Sequence, residues 1–232
     1  MLSITLLLVV ILLALIGAHL ADRWQKRQRR SQLRRKRLRI QLQDLEEILI
    51  CLEDTLPERD VARRVNQEVM TLLEEIRLYE RNSPEPWEAR LRQAQAREAE
   101  WDTPQALNRL RESDSQIARA QQGLQKAGEL LRRQHTRGQL EREALDLYLK
   151  QLSWAQLMIS VISFVAQGHK AIRRGDYSVG QSFYKKAQSL LVGHAHPDPQ
   201  RSQMIQELSQ IILGERKALS PELMPEIGYN PA

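Results

Sequence analysis

The sequence predicts an all-α protein: an N-terminal transmembrane helix, then a cytoplasmic helical bundle or coiled coil with a repeat-like hairpin. Two compositional facts and one pattern carry this. Ala, Leu, Arg, Gln and Glu, all strong helix formers, dominate the 232 residues. Aromatics are 5%, too few for a β-sandwich or barrel. Apolar residues recur at three- and four-residue intervals along most of the chain. The single cysteine, Cys51, excludes an intramolecular disulfide and a cysteine-based zinc site, and it suits a reducing compartment.

Residues 1–21 are the predicted anchor. Leu2 to Ala21 contain no Asp, Glu, Lys or Arg. As a helix they extend about 30 Å, the thickness of a bilayer's hydrocarbon core. A cleaved signal peptide would place cations ahead of a shorter apolar run and small residues at the cleavage positions. Here every cation follows the run, and His19 is large. A buried core helix rarely runs this far without a charge. Residues 22–42 form a basic juxtamembrane segment with ten cations and one acid, Asp22. Arg23, Lys26, Arg27, Arg29 and Arg30 come first, and they are the candidates for setting topology and meeting anionic lipid. Excess Lys and Arg beside a span stays cytoplasmic, so the N-terminus is expected outside and the body inside. Trp24 suits the interfacial aromatic belt. A nucleic acid is a further candidate for these cations, but no aromatic residue interleaves with them from Lys26 to Arg39 to stack on bases.

Residues 38–82 read as a helical hairpin or coiled coil. Leu38, Leu42, Leu45, Leu49, Leu52 and Leu56 alternate spacings of four and three, an all-leucine seam on a helix that Pro57 ends or kinks. Val61, Val65, Val69, Leu72, Ile76 and Tyr79 form a second stripe before the turn residues Asn82-Ser83-Pro84. Either the two helices fold back on each other, or the seam pairs with a second copy of the chain. Residues 84–138 are rich in Ala, Arg and Gln. Trp87, Leu91, Ala94 and Trp101 mark a short helix there. Thr103 and Pro104 suit the cap and first residue of the next helix. That helix carries Leu110, Ile117, Leu124 and Leu131 at intervals of seven and ends at Gly138. Ala120 and Ala127 sit between them, a pattern for close packing, although Ser113 and Gln134 interrupt the small row.

Gln151 to His169 again contains no Asp, Glu, Lys or Arg, but Gln and Ser break its apolar run to the length of a core helix rather than a span. It is expected to be the centre of residues 139–219, packing through Tyr148, Trp154, Leu157, Met158, Val161, Phe164 and Val165. Phe164, Gly168, Ala171, Gly175, Tyr177, Gly180, Tyr184 and Ala187 then order small and large residues through GHKAIRRGDYSVGQSFYKKAQSLL, residues 168–191. Residues 164–192 resemble a single tetratricopeptide repeat, departing from it at Gln167 and in lacking a proline directly after Leu191. On this reading Gly175 closes the first helix and Asp176 caps the second. Gly180 and Ala187 let the helices approach, and Tyr184 fills the groove between them. The resemblance implies a surface for a protein or peptide, with Arg173, Arg174, Tyr177, Tyr184 and Lys185 as candidate contacts. One repeat cannot bury its own face. A helix over 199–218, opening at Asp198-Pro199 and carrying Met204, Ile205, Leu208, Ile211 and Ile212, is expected to cap it. The tail, 220–232, holds three prolines and either packs on the surface or offers Leu223, Met224, Ile227 and Tyr229 to a partner.

The chain contains no phosphate-binding glycine loop, no G-x-G-x-x-G, no H-E-x-x-H and no G-x-S-x-G. His194, His196 and Asp198 are the one cluster of ligand-type residues, and it is short of a full metal shell. No cofactor and no enzymatic activity are expected. The expected role is a scaffold or adaptor that recruits other proteins to the cytoplasmic face of a membrane. Arg outnumbers Lys 27 to 8, which points to a GC-rich bacterial genome and hence the inner membrane. The rival readings are a peptide receptor on an organelle surface and a nucleic-acid tether acting through residues 23–39.

Overall fold

No proline falls between Leu2 and Thr55, and in the computed structural model of the protein these 54 residues form one unbroken helix, α1. At 1.5 Å per residue it is about 80 Å long. The structure describes the backbone of residues 2–80, 85–102 and 107–226, and the side chains of these except 2–24, 27, 30 and 31. Among the described residues six further helices follow and no strand: α2 (Asp60–Tyr79), α3 (Glu85–Glu100), α4 (Asp114–Thr136), α5 (Arg142–Arg173), α6 (Tyr177–Gly193) and α7 (Pro199–Leu213). The fold is all-α.

The leucine seam is buried inside the chain, and its two ends serve different cores. Leu38 and Leu42 meet Val69, Leu73 and Ile76 of α2 and Ala94 of α3 in a small three-helix cluster. Leu49, Leu52 and Leu56 belong to the main core with α4 and α5. A dimer through the seam would have to displace both sets of contacts. On α2, Leu73 and not Leu72 is the fully buried leucine, because the stripe meets α1 on one side and α3 on the other. Asn66 faces α3 from the same stripe and donates to Ala94 O at 2.8 Å.

Two helix boundaries correct the sequence reading. The helix carrying Ile117, Leu124 and Leu131 starts at Asp114, not near Thr103-Pro104, and those two residues lie outside the described residues. Ser113 is its N-cap: extended in backbone, it accepts from Gln116 N, while Gln116 Oε1 accepts from Glu112 N. Leu110 is therefore non-helical. The irregular stretch around it is held by Asn108 N donating to Asp54 O and Arg111 N donating to Ser163 Oγ. At the other end of the chain α7 stops at Leu213, five residues before the expected 218. Gly214 takes a φ of 80°, and Glu215 N donates to Gln210 O. The expected Asn82-Ser83-Pro84 turn lies outside the described residues.

The residues after α7 return to the core. Leu219, Leu223 and Met224 are buried, so the tail does not offer Leu223 or Met224 to a partner; Ile227 and Tyr229 lie outside the described residues. Glu207 of α7 secures the return, accepting from Ser220 N at 2.7 Å and from Ser220 Oγ at 2.9 Å. Glu226 pairs with Arg109 from the α3–α4 connection in a nearly dry environment.

Among the described residues α5 is long and apolar enough to cross a membrane, yet most of its apolar stretch is buried inside the fold. Its three serines each meet a neighbouring segment. Ser153 Oγ bonds His194 Nε2, Ser160 Oγ accepts from Gln121 Nε2, and Ser163 Oγ accepts from Arg111 N.

Candidate functional site

The α5/α6 hairpin is a close approach of two helices made possible by small residues. A Cβ at Gly168 would stand 2.5 Å from the Tyr184 ring, and one at Gly180 would stand 2.6 Å from the Ile172 side chain. Ala187 is fully buried between them. Gly175, with φ 88°, supplies the left-handed turn residue that a side chain would strain. Asp176 occupies the N-cap position of α6 but makes no side-chain capping bond there, contrary to the sequence reading.

The candidate partner residues divide here. Arg173, Arg174, Tyr177 and Lys185 are exposed around the hairpin tip. Tyr184 is buried, its hydroxyl hydrogen-bonded to His169 Nδ1 at 2.8 Å, so it serves the interior and is not on the surface. Burial, aided by the positive charge of Arg173, pushes the His169 pKa down to about 4, which keeps the imidazole neutral. Of the juxtamembrane candidates, Lys26 and Arg29 are exposed, while the side chains of Arg23, Arg27 and Arg30 lie outside the described residues.

A trench of about 600 Å³ runs along the N-terminal half of α5, between the α1–α2 corner and the α6–α7 connection. Trp154, Ala155 and Met158 form one helical face within it, and Pro57, Pro197 and Pro225 approach from three different segments. The His196 ring stacks on Trp154, centroids 4.7 Å apart and planes 18° from parallel. Glu58, Lys150 and Glu222 bring charge to its edge.

A second groove, about 740 Å³, lies between α1 and α4 with Cys51 in its lining. Asp44, Glu47 and Asp54 on α1 face Arg111, Arg119 and Lys126 across it. Lys126 Nζ reaches Asp44 at 3.1 Å and Arg111 reaches Asp54 at 3.3 Å, so much of this charge is matched within the chain. The Cys51 thiol donates to Ala120 O and touches the site of a Gly123 Cβ. Burial pushes its pKa up to about 11, which leaves a thiol and not a nucleophilic thiolate at neutral pH.

The histidine cluster resolves into two separate tasks. His194 bonds Ser153, and His196 Nδ1 accepts from Asp198 N, which leaves Asp198 to cap α7 through Gln200 N. Among the described residues no three His, Cys, Asp or Glu side chains converge as a metal site. The sequence reading counted Trp154 as packing, Gln151 as a break in an apolar run and His196 as a metal candidate; it did not place the three together. The signal available was Gln151 itself, a polar residue one helical turn from Trp154 on an otherwise apolar face. No family model, no characterised protein and no solved structure matches this chain.

Proposed function

We propose that this protein is a membrane-anchored, non-catalytic adaptor whose helical body recruits other proteins at the cytoplasmic face of a membrane, in a bacterium the inner membrane. The observation that carries the reading is α1. It continues without a break from the charge-free residues 2–21, through the basic segment, to the centre of the folded body. A helix that is apolar at one end and structural at the other couples an anchor to a platform without a flexible linker. The exposed Arg173, Arg174, Tyr177 and Lys185 supply a cationic and aromatic tip to that platform. Anionic lipid is the expected partner of the first cations, Arg23 to Arg30.

The test has two arms. A C-terminal fluorescent reporter that matures only in the cytoplasm is expected to light up, and protease added outside intact cells is expected to leave the body uncut. A photo-crosslinking residue at position 173 or 177 is expected to trap discrete protein adducts in cells, and none from the same residue at buried position 187. Digestion of the body from outside, or release of a chain lacking residues 1–21, overturns the anchor. Salt-sensitive trapping of DNA or RNA in place of protein turns the reading to a nucleic-acid tether.

A further inference from the structure

One face of α6 carries an apolar row left open to solvent. Val179, Phe183, Lys186 and Leu190 follow at spacings of four, three and four, so they share one stripe of the helix. Val179 is 50% exposed and Leu190 37%, and neither joins a core cluster. Phe183 is half-buried, its ring stacked on that of the buried Phe164 of α5 with centroids 6.3 Å apart. The Lys186 ammonium lies 3.9 Å from the centre of the Phe164 ring, which holds that cation beside the aromatic pair. The row is distinct from the tip residues Arg173, Arg174, Tyr177 and Lys185, and from Val179 to Leu190 it runs about 16 Å.

The charge of this hairpin has one sign. Lys170, Arg173, Arg174, Lys185 and Lys186 are the cations of residues 151–197, and Asp176 is the one acid there. All five cations are exposed, and among the described residues none is ion-paired. Such a surface is complementary to carboxylates interleaved with apolar groups. Helix directions argue against a bilayer as the source of the negative charge. α4 is antiparallel to α1, with Lys126 beside Asp44 and Ala120 beside Cys51. α5 is antiparallel to α4, with Leu149 and Leu152 beside Gly128 and Ser160 beside Gln121. α5 therefore runs in the sense of α1 and carries the hairpin tip to the end of the body remote from residues 2–21. With those residues in a membrane, Cys51 already stands about 45 Å along α1 from Ala21, several Debye lengths from lipid charge.

We propose that the row on α6 docks an acidic amphipathic helix of a partner protein. The partner's apolar stripe lies along Val179, Phe183 and Leu190, and carboxylates beside that stripe meet Lys186 and the cations of the tip. The row keeps helical spacing over its whole length, which matches the i, i+4, i+7 stripe of a second helix. The occupant rests on the adaptor reading, which makes it a protein.

The chain's two phenylalanines, Phe164 and Phe183, both lie here, so incorporating 4-fluorophenylalanine gives a fluorine spectrum of this site alone. The two resonances are assigned by Phe183→Leu. The probe is a capped peptide of about eighteen residues built from Glu, Ala and Leu, with leucines three and four apart, added to the full chain in phosphatidylcholine nanodiscs. The Phe183 resonance is expected to move at concentrations about tenfold below those needed for the same peptide with Lys in place of Glu, or with its leucines scattered around the helix. Leu190→Ser and Lys186→Glu, both at exposed positions, are each expected to weaken binding about fivefold, and Arg133→Glu on α4 to leave it unchanged. No movement, equal movement with all three peptides, or binding unchanged in both variants overturns the proposal. So does a resonance that moves without peptide when phosphatidylserine is added to the nanodisc, which assigns the row to lipid. A resonance that moves without peptide when residues 227–232 are deleted overturns it too, since the chain's own end then covers the row. Movement with duplex DNA at lower concentrations than with the acidic peptide overturns it in favour of nucleic acid. Protein adducts from positions 173 and 177 that persist in Lys186→Glu, alongside peptide failure, remove this surface and leave the adaptor reading standing.

Discussion

Gly168→Ala probes the hairpin on which the surface around Tyr177 and Lys185 is built. A Cβ there would lie 2.5 Å from Tyr184 Cε1 and 2.8 Å from Cδ1, where ordinary contacts begin at about 3.4 Å. The ring would have to retreat by close to 1 Å. It has little room, being 4% exposed and fixed through its hydroxyl to the buried His169. Overpacking of this kind costs about 1–3 kcal/mol, and losing the Tyr184–His169 bond adds about 1 kcal/mol. Alanine's better helix propensity returns about 1 kcal/mol. The net expectation is a destabilisation of about 2 kcal/mol, or about 6 °C in Tm for a body of this size. Far-UV circular dichroism melts of the full chain in detergent measure it. Gly193→Ala is the control, since nothing lies within 4 Å of a Cβ at that position; it is expected to be neutral or slightly stabilising. Tyr184→Leu removes the ring, so in that background Gly168→Ala should lose most of its cost, a coupling of at least about 1 kcal/mol. A neutral or stabilised Gly168→Ala, or a cost unchanged by Tyr184→Leu, would show that the helices do not meet as described.

His169 gives a pH signature. Its pKa falls from 6.5 to about 4 on folding, so between those values the unfolded chain binds the extra proton and stability declines as pH drops. The contribution, up to about 3 kcal/mol, is complete above pH 6.5 and gone below pH 4. His169→Asn should flatten that part of a stability-versus-pH curve measured by urea denaturation. The Arg109–Glu226 pair is 10% and 3% exposed, so either Ala substitution alone strands a buried charge. A loss of about 3–5 kcal/mol is expected, and less when both are replaced by apolar residues of similar size. Cys51, with its pKa at about 11, should react with iodoacetamide at pH 8 about a hundredfold more slowly than an exposed thiol. Fast labelling would mean that α1 and α4 open readily at this point.

The helices themselves were legible because their signals are local. Pro57 and Gly138 end their helices and Gly175 lies at the α5–α6 turn, and the close packing at Gly180 and Ala187 follows the expected alternation of small and large residues. Ser113 was misread for a physical reason: a serine on a helix face and a serine capping a helix carry the same residue identity, and only the extended backbone at 113 separates them. The leucine seam shows a second limit. A heptad pattern states which face is buried but not what buries it. The partners turned out to be α2 and α3 at one end and α4 and α5 at the other. Contacts between distant segments leave no local trace at all. Arg109 and Glu226 are 117 residues apart, and neither sits in a helix whose period would mark it as buried. The trench depends on such contacts, since α5, the α1–α2 corner and the segment after α6 each supply one wall. Its lining residues were visible in the sequence, but their convergence was not.

The basic segment is one run in sequence and two in structure. Arg34 pairs with Glu75 at 2.8 Å and lies 4.9 Å from the centre of the Tyr79 ring, and the hydrogen bond to Glu75 holds its guanidinium above its usual pKa. Arg39 pairs with Glu80 at 2.6 Å and covers Trp87. These two cations fasten α1 to the end of α2 and the start of α3, and they precede or flank Leu38, the first buried leucine of the body. Arg23 to Arg30 lie nearer the apolar residues 2–21 along the same helix. If residues 2–21 span a bilayer, Arg34 stands about 20 Å beyond Ala21 along the helix, more than two Debye lengths at physiological salt. Lipid attraction would then act on the first cations and hardly at all on the last. Thr55, beside the trench, would lie about 50 Å along α1 from Ala21. An adaptor built this way would hold its partner at a distance set by helix length, while Arg34 and Arg39 tie α1 to the body.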